Sequence, residues 1–177
     1  MSPTIRKATA DDAGRLAALA AVTFPLACPP SSSPEDIATH VANTLSESHF
    51  QAYLTDPDVT VLVIDDDGSL RGYSLLVNGQ AQDPDVVAAL TLAPSVELSK
   101  CYVHPEHHGL GAAAELMHAS LQAAAAAGGA GVWLGVNSQN ARAIRFYEKS
   151  GFRKVGSKSF RLGTTVEHDF VLERAVP

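Results

Sequence analysis

A glycine-containing turn at residues 108–114, His-Gly-Leu-Gly-Ala-Ala-Ala, is the feature that most constrains the fold of this chain. It joins an apolar, strand-like run at residues 98–103 to a helical run rich in alanine and leucine at residues 112–127. The first four N–H groups of a helix have no partner within it, and the helix dipole adds positive potential there. Because Gly109 and Gly111 have no Cβ, an anion can approach the backbone closely. The turn therefore predicts a phosphate site.

A second strand-turn-helix segment follows at residues 132–152. Its presence makes the phosphate site predicted at the glycine turn a more specific indication of function. An apolar strand leads into a polar turn, the next helix ends at Gly151, and Phe152 opens another strand. Three polar residues of the turn can cap the helix: Asn137, Ser138 and Asn140.

Together the two segments resemble the GNAT superfamily of acyl-CoA-dependent N-acyltransferases. The cofactor motif of that family, Arg/Gln-x-x-Gly-x-Gly/Ala, is matched by His108, Gly111 and Ala113. Its second motif, Asn-x-x-Ala-x-x-x-Tyr-x-x-x-Gly-Phe, is matched at the same spacing by Asn140, Ala143, Tyr147, Gly151 and Phe152. His108 departs from the family pattern, because it replaces a permanent charge with a side chain that can still donate a hydrogen bond. The resemblance covers the last two thirds of the chain well and the first third loosely.

The resemblance implies acetyl-CoA as co-substrate and a set of residues that bind it. The pyrophosphate would lie on the N–H groups of the turn, and the pantetheine arm would lie between the two strands as an added strand does. The residues expected to bind the cofactor are Tyr102, Val103, His108, Gly109, Gly111, Ala112, Ala113, Ala114 and Asn140. A backbone N–H near Val103 would polarise the thioester carbonyl.

Two side chains are expected to carry the proton transfers. A primary amine has a pKa of about 10.4 and must lose a proton before it attacks, so a carboxylate is needed, and Glu97 is the best-placed candidate. Tyr147 matches the phenol of the family that protonates the departing thiol. Each residue also has a structural interpretation: Tyr147 as a core residue of its helix, Asn140 as a helix cap alone, and Glu97 as a solvated strand end.

The acyl acceptor is less constrained by the sequence. Residues 133–136 and 140–152, with Gly156, Phe160 and the closing strand at Asp169, look similar to bacterial spermidine/spermine-type acetyltransferases, which implies a polyamine acceptor. A protein N-terminus, a lysine or an antibiotic amine remain alternatives. The nearby aromatic candidates for an acceptor pocket are Phe24, His49, Phe50, Tyr53 and Phe160.

Three other interpretations fit parts of the sequence. The string Gly109-x-Gly111-x-x-Ala114 also fits a dinucleotide fingerprint, but a four-residue loop separates it from the preceding strand and the next strand ends in Asn137 rather than an acidic residue. Three nearby histidines, His104, His107 and His108, have no fourth ligand at a recognisable spacing, so no metal is expected. A non-catalytic acyl-CoA-binding sensor or interaction module would keep the turn but need neither Tyr147 nor a base.

The length indicates a single domain, and the resemblance implies that residues 1–177 form one GNAT-like N-acetyltransferase domain. The chain is 46% hydrophobic, enough for a sizeable core, and its net charge of -6 argues against a nucleic-acid partner. It has no apolar signal core, no run near the ~18 apolar residues of a membrane span, and two cysteines without metal or redox spacing, so a cytoplasmic location is expected. The expected partner is a small-molecule or peptide amine, and a homodimer is one assembly the resemblance allows.

The predicted element order is β-α-α-β-β-β-α-β-α-β-β, which indicates an α/β fold. The resemblance implies a GNAT-like mixed, mostly antiparallel twisted sheet of about seven strands with helices on both faces. The first helix is expected to break at Pro25, Pro29 and Pro30, a second helix to be capped at residues 31–35, and a third short helix to span residues 48–54. A hairpin turn is predicted at residues 65–68, and a variable loop at residues 79–94.

Overall fold

The computed structural model describes residues 2–177, and over this range the chain forms one mixed sheet with helices on both faces. The strands are β1 (Thr4–Lys7), β2 (Val59–Asp66), β3 (Ser69–Val77), β4 (Ser95–Val103), β5 (Gly131–Asn137), β6 (Arg153–Leu162) and β7 (Thr165–Ala175). The helices are α1 (Ala13–Ala27), α2 (Pro34–Thr44), α3 (Glu47–Thr55), α4 (Pro84–Ala89), α5 (Ala112–Ala126) and α6 (Ala141–Lys149). The predicted fold class is confirmed. No helix in the described part of the chain has both the length and the apolarity that a bilayer span requires.

The sheet has the order β1-β2-β3-β4-β5-β7-β6, and each neighbouring pair is antiparallel except β4 and β5. Within residues 2–177, β4 and β5 pair over three positions only, ending at Glu97 opposite Trp133. Beyond this pair the two strands separate. The sheet is therefore open between its fourth and fifth strands.

Two layers of apolar side chains hold the helices against the sheet. On one face α1 and α3 contribute Leu16 and Phe50, both 0% exposed, which pack with Tyr73 of β3. On the other face Met117 and Leu121 of α5 pack against the sheet. Full burial of a side chain of this kind stabilises the folded state by about 1.5–3 kcal/mol. These layers fix the helices that flank the opening.

Local sequence signals explain where the elements begin and turn. Ser33 caps α2 by accepting a hydrogen bond from the N–H of Asp36 at 3.1 Å, and Pro34 occupies the first helical position, where its missing N–H costs nothing. Asp67 and Gly68 both have positive φ between β2 and β3, which is the geometry of a tight hairpin turn. The predicted second helix and hairpin are thus confirmed.

Two local predictions are wrong. Helix α1 does not break at Pro25 but continues to Ala27, because a proline in the last turn removes only one hydrogen bond near an end that already lacks partners. The loop predicted at residues 79–94 contains α4, a six-residue helix capped by Asp83, whose carboxylate accepts from the N–H of Asp85 at 2.9 Å. Its one fully buried residue, Val86, packs against Trp133. A helix this short offers too few apolar positions for its periodicity to be seen.

Candidate active site

The opening between β4 and β5 continues into a cavity of about 950 Å³ that reaches both faces of the sheet. Ten of the eleven residues predicted for the site line it: Glu97, Tyr102, Val103, His108, Gly109, Gly111, Ala113, Ala114, Asn140 and Tyr147. The eleventh, Ala112, is the first residue of α5 and contributes one of the free N–H groups of that helix. The structure therefore brings the sequence-predicted residues to one place.

The glycine turn forms one end of the cavity. Gly109 and Gly111 have φ of 82° and 78°, in the left-handed region that side chains rarely adopt, and Gly111 is the N-cap of α5. A Cβ built on either glycine would meet no atom within 4 Å, so the space in front of the backbone is open. Open space, free N–H groups and the positive end of a 15-residue helix together suit a phosphate group.

His108 has a structural partner in addition to its place on the cavity wall. Its Nε2 lies 2.8 Å from the carbonyl oxygen of Val103, and since a carbonyl only accepts, Nε2 is the donor in this contact. The ring thereby ties the turn to the end of β4. The contact with Val103 uses only one of the two ring nitrogens of His108.

Asn140 likewise acts as a cap while it lines the cavity. Its Oδ1 accepts from the N–H of Ala143 at 3.2 Å, at the start of α6, and its Nδ2 donates to the carbonyl of Ala27 at 3.5 Å. The side chain thus connects the first turn of α6 to the end of α1. Of the three candidate caps, the structure selects this one.

Tyr147 lies on α6, on the side of the sheet that carries the glycine turn. Its ring packs against Phe146 and Phe152, with centroid separations of 5.5 and 5.9 Å. Burial raises the pKa of the phenol well above its usual value, and the nearby Cys101 and Tyr102 raise it further. The phenol therefore keeps its proton at neutral pH and can donate it.

Glu97 lies where the strands part, on the opposite face. Burial raises the pKa of its carboxyl group above the usual value, while Lys100 and Lys158 oppose the shift. Lys158 crosses over β5 at Gly135, where a Cβ would meet its Cε at 2.7 Å. A carboxylate with a raised pKa is a stronger base than an exposed one. The opening thus brings a phenol from one face and a carboxyl group from the other to the same cavity.

The aromatic residues expected around an acceptor divide into two groups. Phe24, Tyr53 and Phe160 line the cavity. The other two do not: Phe50 is 0% exposed in the core, and His49 has its Nδ1 2.6 Å from the Ser46 hydroxyl that caps α3. Both residues lie on the short helix α3, and they point to different sides of it. The sequence alone does not show which side of this helix meets the cavity.

Sequence reasoning missed several residues of this wall. His40 stacks on Phe24 at 4.5 Å and meets the edge of Phe160 at 5.6 Å. Two carboxylates of β7, Glu167 and Asp169, are 9% and 7% exposed and line the same cavity. Their spacing of two residues was a usable signal, because alternate residues of a strand share a face.

The three histidines near the turn contact protein groups and do not converge on a common point. His104 accepts through Nδ1 from the N–H of Glu106 at 3.2 Å, and its ring centroid is 6.0 Å from that of His107. His108 bonds to the carbonyl of Val103. Over residues 2–177 no group of three or more His, Cys, Asp or Glu side chains is arranged to hold a metal ion.

Sequence comparison identifies the family. A sequence model of the Acetyltransferase (GNAT) family matches residues 26–152. An uncharacterized N-acetyltransferase of Mycobacterium tuberculosis is 49% identical over 163 residues, covering 92% of this chain and 97% of that protein. The chain belongs to the GNAT acetyltransferase family. Membership in this family, together with the mostly antiparallel sheet, excludes the dinucleotide-binding interpretation, which requires a parallel sheet.

Solved structures share the GNAT fold along the whole chain. The PaiA N-acetyltransferase of Thermoplasma acidophilum, in complex with coenzyme A, has a TM-score of 0.78 at 22% identity and covers 99% of both chains. The acetyltransferase YncA of Salmonella typhimurium, with its cofactor acetyl-CoA, has a TM-score of 0.66 at 22% identity and covers 100% of this chain and 95% of that one. At these identities the likeness concerns the fold. The names of these relatives specify no amine acceptor, so the predicted likeness to spermidine/spermine-type enzymes is not confirmed.

Proposed function

We propose that this GNAT acetyltransferase moves an acetyl group from acetyl-CoA to a primary amine by direct attack. The observation that carries the proposal is that Glu97 and Tyr147, which come from opposite faces of the sheet, line one cavity at the parting of β4 and β5. A base and an acid on two sides of one opening suit a reaction in which one proton leaves the nucleophile and another reaches the leaving group.

The cofactor-binding residues follow from the shape of the opening. The glycine turn and the first turn of α5 would hold the pyrophosphate on their N–H groups. The pantetheine arm would lie between β4 and β5, where the strands no longer pair and Tyr102 and Val103 border the cavity. This arrangement leads the cofactor from the turn toward Glu97.

In the reaction itself, Glu97 accepts a proton from the incoming ammonium, and the neutral amine attacks the thioester carbonyl carbon. A backbone N–H near Val103 stabilises the developing oxyanion. The C–S bond then breaks, and Tyr147 donates its proton to the departing thiolate. The raised pKa of both side chains fits these roles, since the phenol stays protonated and the carboxylate is a better base.

We infer further that the acceptor carries a second cationic group, as a polyamine does. Glu167 is 9% exposed, its hydrogen-bond partner is the amide of Asn137 at 3.5 Å, and it forms no ion pair within residues 2–177. A buried carboxylate without a cation is costly, and an ammonium group of the acceptor would relieve that cost. Phe24 and Phe160 offer apolar surface for the methylene segment between the two amines.

The direct test is the formation of acetylated product from acetyl-CoA and a panel of monoamines, diamines and polyamines. Product formation supports an enzyme, whereas saturable acetyl-CoA binding without any product across the panel would favour the sensor or interaction module. Glu167→Gln should raise KM for the polyamine and leave KM for a monoamine unchanged. Glu148→Gln, an exposed change on α6, is the matched control. Equal effects of Glu167→Gln on both amines would contradict a second cation-binding group.

A further inference from the structure

Lys100 occupies an unusual position on β4, because a bulge turns it toward Glu97. Residues 97 and 100 of a regular strand point to opposite faces, since side chains alternate. Here Leu76 of β3 pairs with Leu98 and its neighbour Leu75 pairs with Lys100, so Ser99 is an extra residue in β4. Glu97 and Lys100 consequently share the face that α1 and α3 cover.

The Lys100 amine lies within the wall of the cavity and has no carboxylate partner. Its Nζ is 3.2 Å from the Ser99 hydroxyl and 5.5 Å from the centroid of the Tyr53 ring. The other lysine of the cavity, Lys158, forms an ion pair with Asp169 at 3.8 Å, whereas Lys100 is in none of the ion pairs within residues 2–177. Burial lowers the pKa of Lys100, and Glu97 opposes the shift. Lys100 is therefore the amine of the cavity that most readily becomes neutral.

We propose that Lys100 is an internal acetyl acceptor, modified on Nζ by acetyl-CoA bound in the same cavity when no free amine occupies the acceptor side. The proposal rests on the proposed acetyl transfer. The Nζ lone pair forms the bond to the carbonyl carbon, and the C–S bond breaks. The proton lost from Nζ passes to Glu97, and the coenzyme A thiolate takes a proton from Tyr147. The products are Nζ-acetyl-Lys100 and coenzyme A, and transfer of a proton from Glu97 to the Tyr147 phenolate through solvent restores both side chains, so atoms and charge balance.

The modification would limit the enzyme in the absence of its substrate. An acetyl group on Lys100 would take up volume beside Tyr53 and Glu97, on the side from which a free amine must approach. It would also remove an amine that stabilises the Glu97 carboxylate when protonated. Incubation with acetyl-CoA alone should therefore reduce later turnover of an added amine.

The chain has five lysines, and those outside the cavity serve as internal controls for the test. Lys100 and Lys158 lie in the cavity, whereas Lys7, Lys149 and Lys154 are exposed and report purely chemical acetylation. The full-length protein is incubated with acetyl-CoA and no amine, and peptide mass spectrometry follows each lysine over time. We expect Lys100 to be acetylated at least about tenfold faster than any exposed lysine, because the cavity would hold its amine beside bound acetyl-CoA and burial lowers the pKa of that amine.

Two further readouts define the result. The rate constant for Lys100 should not depend on protein concentration, because a residue in the cavity wall reacts within its own molecule. Lys100→Arg should remove the fast acetylation, and Lys158→Arg should retain it. If either variant fails to fold, the acetylation rates of the individual lysines in the wild-type protein still show whether Lys100 is the internal acceptor.

An acetylation rate of Lys100 equal to or below that of the exposed lysines would overturn the proposal. A rate constant for Lys100 acetylation that rises in proportion to protein concentration would also overturn it. The same preparation is assayed with the amine panel. Turnover of a free amine with Lys100 unmodified refutes the internal acceptor alone, whereas the absence of both reactions refutes the proposed function as well.

Discussion

Glu97 of β4 lies opposite Trp133 of β5, and this is the last pair that joins the two strands before they separate. The base candidate is thus located at the apex of the opening, while Trp133 packs with α4 and β7 and anchors β5 beside it. The separation that follows leaves backbone groups of both strands free for a bound pantetheine arm. A single change in strand pairing therefore creates the cavity and positions its carboxylate.

Gly111→Asp should abolish stabilisation by acetyl-CoA. Wild-type protein should gain about 2.7 kcal/mol at a hundredfold excess of cofactor over its Kd, because the ligand binds only the folded state. The variant introduces a negative charge and a side chain where the pyrophosphate is expected, at a backbone with φ of 78°. The measurement is the shift in melting temperature with millimolar acetyl-CoA.

Gly128→Asp is the matched control for that experiment. Gly128 also has positive φ, 92°, and open space around its Cβ position, but it lies at the other end of α5. Its backbone strain resembles that of Gly111→Asp, and its cofactor-dependent shift should remain. The absence of a shift in the wild-type protein would refute cofactor binding at the turn.

Glu97→Gln should reduce kcat/KM by about 10²-fold or more near neutral pH, because the glutamine cannot accept the amine proton. The Glu97 pKa is raised by burial, and the carboxylate is lost as pH falls through that raised value. The ratio of wild-type to variant kcat/KM should therefore narrow as pH falls through it. Comparing the two proteins at each pH cancels the ionisation of the amine substrate. A ratio near one at all pH values would remove Glu97 from the mechanism.

Asp12 should make folding stability depend on acidity. Its buried carboxylate accepts from Arg6 at 2.9 and 3.0 Å and from the Thr9 N–H at 2.7 Å, and the Arg6 hydrogen bond lowers its pKa to about 2. Because the folded pKa is depressed, the contribution of about 2 kcal/mol is complete above the usual value of 3.8 and is lost as pH falls toward 2.

Urea unfolding of Asp12→Asn at several pH values checks this expectation. The variant should be less stable than wild type by about 2 kcal/mol at pH 7, and this difference in stability should start to shrink below about pH 4 and be lost near pH 2. Asp11→Asn, an exposed neighbour, should behave as wild type. A gap that stays constant down to pH 2 would show that the Asp12 charge does not carry the effect.

The parts of the site that the sequence predicted are local ones. The glycine turn, the cap at Asn140 and the spacing to Tyr147 depend on neighbouring residues, whose conformational preferences are visible in a single segment. The same holds for the hairpin at Gly68, where positive φ demands a particular residue type. Such features need no knowledge of the rest of the chain.

The parts that the sequence did not predict depend on long-range pairing. β7 inserts between β5 and β6, which brings Glu167 and Asp169 to the cavity although they are far from β4 in the chain. The position of Lys100 beside Glu97 requires the bulge at Ser99, which is set by pairing with β3. The spacing of Glu167 and Asp169 indicates that they share a face of β7, but it does not show which strand lies beside β7, and the bulge leaves no periodic signal within β4.

In the proposed mechanism the protein catalyses acetyl transfer with Tyr147 as the acid. The most direct test is steady-state kcat with acetyl-CoA and the best amine of the panel, together with the Kd for acetyl-CoA. Tyr73→Phe is the matched control, because it removes the unpartnered hydroxyl of a buried tyrosine outside the cavity. It should leave kcat unchanged.

For Tyr147→Phe the ring is retained, so folding and the Kd for acetyl-CoA should change little. Loss of the proton donor should lower kcat at least about tenfold, which corresponds to about 1.4 kcal/mol in the activation barrier. A folded Tyr147→Phe protein with wild-type kcat would contradict the role of Tyr147, and a wild-type protein that binds acetyl-CoA but acetylates no amine would contradict the enzyme itself.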